Sequence, residues 1–325
     1  MKVDLLLDEL EQKELLTPAQ RSLIESYEKQ KPISLFIYLR TLLYVSISAF
    51  IGGIGVLIYQ NIDTLGHTVL ILLLALVTVG CFVFVFKKGT PYHPEKVEQP
   101  EHYFDTILLL GCLLFLALEG YVQYQYALFG TRYGLAVIIP AIFFFFLAYR
   151  YDHQGVLSLA ITALASWIGL TATPSELLVK NDFSDPGVIR TALIFGAALL
   201  LVSWFLRQRN IKSHFTYTYV LLAGTLYLAA CTGGMFTQDR WQLVFGLLLG
   251  IGCWYFFKNA QDESSLLLLL ISVIFAYIGV TYLLFNNLFD AAIVYLGSLY
   301  FVASAAGVVW FFLNYRKILN RSPKL

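Results

Sequence analysis

Polar and apolar positions along this chain neither alternate nor form narrow helical stripes. They fall into long blocks. Runs such as AIFFFFLAY (141–149) and LLLLLISVIF (266–275) are apolar on every face, and blocks of about 20 such residues have the length needed to cross a bilayer core. Water cannot satisfy backbone groups there, so a spanning segment must be a helix or part of a closed barrel. Barrel strands are short and alternate, and these runs do not. The expected fold is all-α, a polytopic membrane protein of about ten transmembrane helices. The spans run near 41–60, 67–86, 104–124, 132–149, 154–171, 188–206, 214–233, 241–257, 264–285 and 289–312.

Residues 1–32 differ. In VDLLLDELEQKELL, Leu6, Leu7 and Leu10 recur at helical spacing with acids on the other faces. Thr17, Pro18 and Gln20 then supply a cap, a first-turn proline and a capping box for a second helix that offers Leu23, Ile24 and Tyr27. This predicts a cytoplasmic helical hairpin over 1–32, too small for a core of its own. It would pack on the membrane domain or dock a cytoplasmic protein partner. The expected organisation is this hairpin, a ten-helix domain over 33–318 and a basic tail over 319–325. The layout of LLDELEQKELLTPAQRSLIESYEKQ followed at once by spans resembles a family of bacterial predicted membrane proteins of unknown function. The resemblance rests on Leu15, Leu16, Thr17, Gln20 and Tyr27, within residues 5–30; Glu14 stands where such proteins often carry glycine. It implies a bacterial inner-membrane protein and transfers no catalytic residue.

Charge adds orientation. Of the 22 lysines and arginines, 18 fall on the side holding both termini and the connections after spans two, four, six and eight; the other side holds Arg132, Lys180, Arg190 and Arg240. By the positive-inside rule both termini are cytoplasmic. The tryptophans agree: Trp204, Trp254 and Trp310 sit at inner ends, Trp167 and Trp241 at outer ends. Even-numbered spans end in aromatics and then a base, as in CFVFVFKK and WFFLNYRK. Five copies of a hairpin would explain this, and so would interfacial preference alone. Small-residue faces at Ile51–Gly55, Gly246–Gly250 and Ala303–Gly307 mark expected helix contacts, and Pro140 an expected kink in span four.

Composition narrows the chemistry. The chain is 58% hydrophobic and 13% charged, with a net charge of +1, so no global field recruits nucleic acid. The four cysteines lie inside spans without CxxC spacing and read as small buried apolar groups. The five histidines are dispersed, which predicts no metal site, and no nucleotide-binding, metalloprotease or serine-hydrolase motif is present. No cofactor and no catalytic residue is expected.

The stretch LALEGYVQYQYALFGTRYG (116–134) stands out. Glu119 interrupts span three about 7 to 8 Å beyond its midpoint toward the outer face, and an acid at that depth is costly unless protonated or paired. Gln123 and Tyr126 share its helical face, with Phe115 one turn before. Arg132, Arg190 and Asp290 start other helices at the same outer level, and the loop 175–187 is long enough to cover them. The expected substrate-binding group is therefore Glu119, Gln123, Tyr126, Arg132, Arg190 and Asp290, at the floor of an outward-facing polar cavity for the transport or binding of a small or amphipathic solute. The alternative at Glu119 is an interhelical bond; the other readings of the chain are a structural or regulatory membrane subunit docking a partner through the N-terminal hairpin, and a membrane enzyme acting on lipid-linked substrates. The connection KKGTPYHPEKVEQPEH (87–102), with three prolines, is expected to be a flexible surface loop.

Overall fold

A computed structural model describes residue 20 and residues 36–97, 103–130, 133–172, 185–287 and 293–319. The hairpin expected over 1–32 lies outside the described residues, apart from Gln20, as does the tail after Leu319. Packing divides the chain into two units, Met1–Gly52 and Gly53–Leu325.

The described residues form ten helical segments and no strand: α1 (Phe36–Leu65), α2 (His67–Lys88), α3 (Phe104–Tyr126), α4 (Tyr133–Tyr151), α5 (Gln154–Ala172), α6 (Pro186–Gln208), α7 (Ser213–Thr237), α8 (Gln242–Asp262), α9 (Leu266–Asn287) and α10 (Ile293–Leu319). Each coincides with one predicted span. Seven of them, α2–α4 and α6–α9, are long and apolar enough to cross a membrane, while α1 and α5 carry shorter apolar stretches. The part of α1 within the first unit is largely exposed, with Leu39, Leu42, Val45 and Phe50 uncovered.

Within Gly53–Leu325, α2 packs on α3, α4 on α5 and α8 on α9 as consecutive neighbours. The centre is α7, the most deeply buried of the long helices, which touches α5, α6, α8 and α9. Its Val220, Leu228, Cys231 and Met235 meet Phe245, Leu249, Cys253 and Phe256 of α8 and Leu268 and Leu269 of α9. α7 is not uniform. It opens with a 3₁₀ turn (Ser213–Phe215) and relaxes to π geometry over Val220–Gly224. There Thr225 donates its hydroxyl to the Leu221 carbonyl.

Backbone approach is closest at glycines other than those the sequence pattern marks. A Cβ on Gly196 of α6 would lie 2.8 Å from the Ala223 carbonyl oxygen and 3.0 Å from the Tyr227 nitrogen of α7. Gly234 and Gly252 likewise face side chains at sub-contact distance. Of the expected faces, Gly246 meets Leu283, but Gly52, Gly53, Gly55, Gly250 and Gly307 have open space beside them. Spacing alone does not say which face of a helix another helix takes.

Polar ties link helix ends. His67 and Tyr121 join the start of α2 to the end of α3 at 2.8 Å. Asn286 donates to Gln242 across 3.2 Å, joining the end of α9 to the start of α8. At the opposite end Arg207 pairs with Asp262 at 3.2 Å, and Gln261 donates to the Ile318 carbonyl at 3.0 Å, so α6, α8 and α10 finish together.

Candidate functional site

Two polar places rise above this apolar background, one at each end of the bundle. The first is the end of α3. Phe115 sits in an aromatic cluster with Phe82, Phe143 and Phe144, at ring separations of 6.4, 5.4 and 6.1 Å. Glu119 follows one turn later and is only partly covered, yet its Oε2 is enclosed and makes no hydrogen bond. A further turn on, Gln123 closes the helix. Its Oε1 accepts from the Phe129 N–H at 2.9 Å and its Nε2 donates to the Gly130 carbonyl at 3.2 Å. The same turn carries Ala127 in left-handed geometry, its N–H bonded to the Gln123 carbonyl.

Of the expected binding group, then, Glu119, Gln123 and Tyr126 share α3, with the Gln123 amide engaged by the turn and Tyr126 exposed. Arg190 lies exposed in the first turns of α6, its Nε donating to the Pro186 carbonyl at 3.1 Å. Arg132 and Asp290 lie outside the described residues. Among the described residues nothing bonds to Glu119. A buried acceptor without a donor costs about 1–3 kcal/mol, and more when charged, so this oxygen asks for a proton or a donor group.

The second place is built from residues that the sequence presents as ordinary loop charges. α4 ends at Tyr151, and Asp152 takes left-handed geometry (φ 61°) so that the chain reverses into α5. His153 then caps α5, its Nδ1 accepting from the Val156 N–H at 3.0 Å. After α6, Lys212 is also left-handed (φ 47°). These two turns drive the Asp152 and Lys212 side chains into the protein, each 1% exposed, with Lys212 Nζ 3.2 Å from Asp152 Oδ2. Asp152 also accepts from the Val97 N–H at 2.6 Å and from His214 Nε2. Lys212 completes its donors on the Glu95 carbonyl at 3.0 Å and lies over the Tyr92 ring at 5.6 Å, while its backbone N–H donates to the Pro94 carbonyl at 2.9 Å. Arg150 donates to the Thr90 carbonyl.

Burial by itself would raise the Asp152 carboxyl. The hydrogen bonds from His214 and the Val97 N–H, the nearby His214 and the Lys212 ammonium outweigh it and hold the group below the usual carboxylate range. The cluster pins the described part of the connection expected to be flexible. Over Gly89–Val97 its backbone is held by Arg150, Asp152 and Lys212, although Tyr92, His93, Pro94, Glu95 and Lys96 remain exposed. Three prolines and mixed charge describe a surface segment correctly, but carry no information about partners far away in the chain. No group of three or more metal-ligating side chains occurs among the described residues.

Apolar helices of this length, joined at polar ends and exposing leucine, valine and phenylalanine along their flanks, define a multi-pass helical membrane protein that contacts the lipid bilayer. More particularly, residues 8–157 match the model of the family described as Predicted membrane protein (DUF2157). That match bears out the resemblance seen at residues 5–30, and it covers Glu119 and Asp152 but stops short of Lys212 and His214. No curated protein and no solved structure matches the chain.

Proposed function

We propose that the chain is a bacterial inner-membrane bundle of ten spans with both termini cytoplasmic, and that Glu119 is the binding group of an outward-facing site through which a small or amphipathic solute is bound and transported. The topology is supported by the charge distribution and by the ties between helix ends. Alternating directions require that α6, α8 and α10 finish on one side and that the start of α2 meets the end of α3, as Arg207–Asp262, Gln261–Ile318 and His67–Tyr121 do. The solute reading is carried by one observation: an enclosed carboxylate oxygen with no partner, in an apolar helix. An acid so placed favours a solute bearing an amine or hydroxyl donor.

The test is thermal unfolding of the purified protein against a panel of small amines and amino alcohols such as ethanolamine and phenethylamine. At least one should stabilise the wild type, by about 2.7 kcal/mol at a hundredfold excess over its Kd, and leave Glu119→Gln unmoved. If no compound discriminates the two proteins while Glu119→Leu is simply more stable, Glu119 is not a binding group.

A further inference from the structure

We infer that Asp152, Lys212 and His214 form a releasable latch, which holds the strap Gly89–Val97 across the end of the bundle opposite Glu119 and thereby keeps that end closed. The inference rests on the solute reading for its purpose, since a solute that reached Glu119 from outside would have to leave past this face.

The strap is held almost wholly by polar groups. Thr90, Pro94 and Glu95 offer carbonyls and Val97 an N–H, and the holders are Arg150, Asp152 and Lys212. The five side chains from Tyr92 to Lys96 stay exposed. Gly89 lies against the Tyr151 ring, where no Cβ would fit, and Thr90 and Val97 at the two ends of the strap are half-buried. Apolar packing would hold such a segment in one state. A segment held by one buried carboxylate and its donors is released when a single member is lost, because the buried charge left behind is uncompensated.

The latch also joins separate pieces. The strap connects α2 to α3, Asp152 connects α4 to α5, and Lys212 with His214 connects α6 to α7. Beneath it α3 meets its neighbours through Phe104 on Tyr151, 5.4 Å between rings, and through Leu109 beside Gly155. Opening the latch frees the α2–α3 hairpin to part from α4 and α5 along that seam. Among the described residues, Asp152 is met by Lys212 and His214 from the α6–α7 link, with the Tyr92 ring and the Glu95 carbonyl of the strap around Lys212 and Arg150 holding the Thr90 carbonyl.

The experiment places a reporter in the seam. Leu109→Cys sits about 7 to 8 Å along α3 from its start and is 8% exposed, while native Cys231 in the α7 core is fully buried and reports general loosening. The full-length protein in detergent micelles is treated with a water-soluble maleimide, and labelling rates at both positions are read by mass spectrometry. Asp152→Asn, Lys212→Met and the double variant should each label position 109 at least about tenfold faster than the parent, the scale set by breaking a buried pair. Cys231 should accelerate far less than position 109, and Lys212→Arg should stay slow. The double variant removes both charges and so avoids the burial of one alone. Unchanged rates at 109 would overturn the latch. So would a parallel rise at 109 and 231, or a double variant that cannot be purified, since either makes the cluster a brace of the whole fold. The labelling needs no solute, so its failure leaves the Glu119 reading standing, and a silent solute panel leaves the labelling result standing.

Discussion

At the scale of single residues, the same carboxylate chemistry has opposite settings in two places. Asp152 is surrounded by donors on both oxygens, whereas Glu119 has an enclosed oxygen and none. For Asp152 the consequence is a stability term with a definite sign. Its folded pKa is depressed below the ordinary value near 3.9, so the stabilisation is full above that pH and is lost as pH falls through the folded pKa. Asp152→Asn should cost about 3–5 kcal/mol at pH 7, because Lys212 is left buried without its partner. The gap between the thermal midpoints of wild type and variant should then close progressively below about pH 4. A gap that persists undiminished at lower pH would mean that the ionised carboxylate is not its source. Gln123 shows a polar residue with a different use, since both ends of its amide are taken up in finishing α3. Its position on the Glu119 face was legible in the sequence, but its engagement by the backbone of residues 129 and 130 was not.

At the scale of helices, packing rather than spacing decides what a small residue does. The Gly246–Gly250 motif is a recognisable contact signature, yet Gly250 has nothing beside it, while Gly196, which belongs to no GxxxG pair, meets the backbone of α7. Two identical substitutions should therefore have opposite signs. Gly196→Ala should destabilise the protein by about 1–3 kcal/mol, because the obstructing atoms at Ala223 and Tyr227 include backbone and cannot rotate away. Gly250→Ala should be neutral or stabilising by up to about 1 kcal/mol, the ordinary gain of alanine in a helix interior. Chemical denaturation of both variants in one detergent checks the contrast, and equal losses would contradict the packing at α6 and α7. The π segment in α7 belongs to the same scale. Its Val220–Gly224 turn coincides with the Gly196 contact, and nothing in the apolar run VLLAG distinguishes it from a regular helix.

At the scale of the whole molecule, the charge asymmetry and the ties between helix ends argue for one alternating topology. It has an accessible consequence: in intact cells Lys180→Cys, in the segment 175–187 that the proposed orientation puts outside, should react with a membrane-impermeant maleimide, whereas Lys96→Cys, on the strap, should react only after the cells are opened. The reverse result would invert the orientation. The sequence by itself determined where the helices lie, because a backbone in hydrocarbon must bond within its own segment and each apolar block therefore declares itself locally. It also determined the distribution of charge between their ends. Only the tertiary structure decided which polar groups meet. Asp152, Lys212 and the strap are separated by long stretches of chain and acquire a common purpose solely through how α2 to α7 pack, and a pairing across such distances leaves no periodicity in the sequence to read.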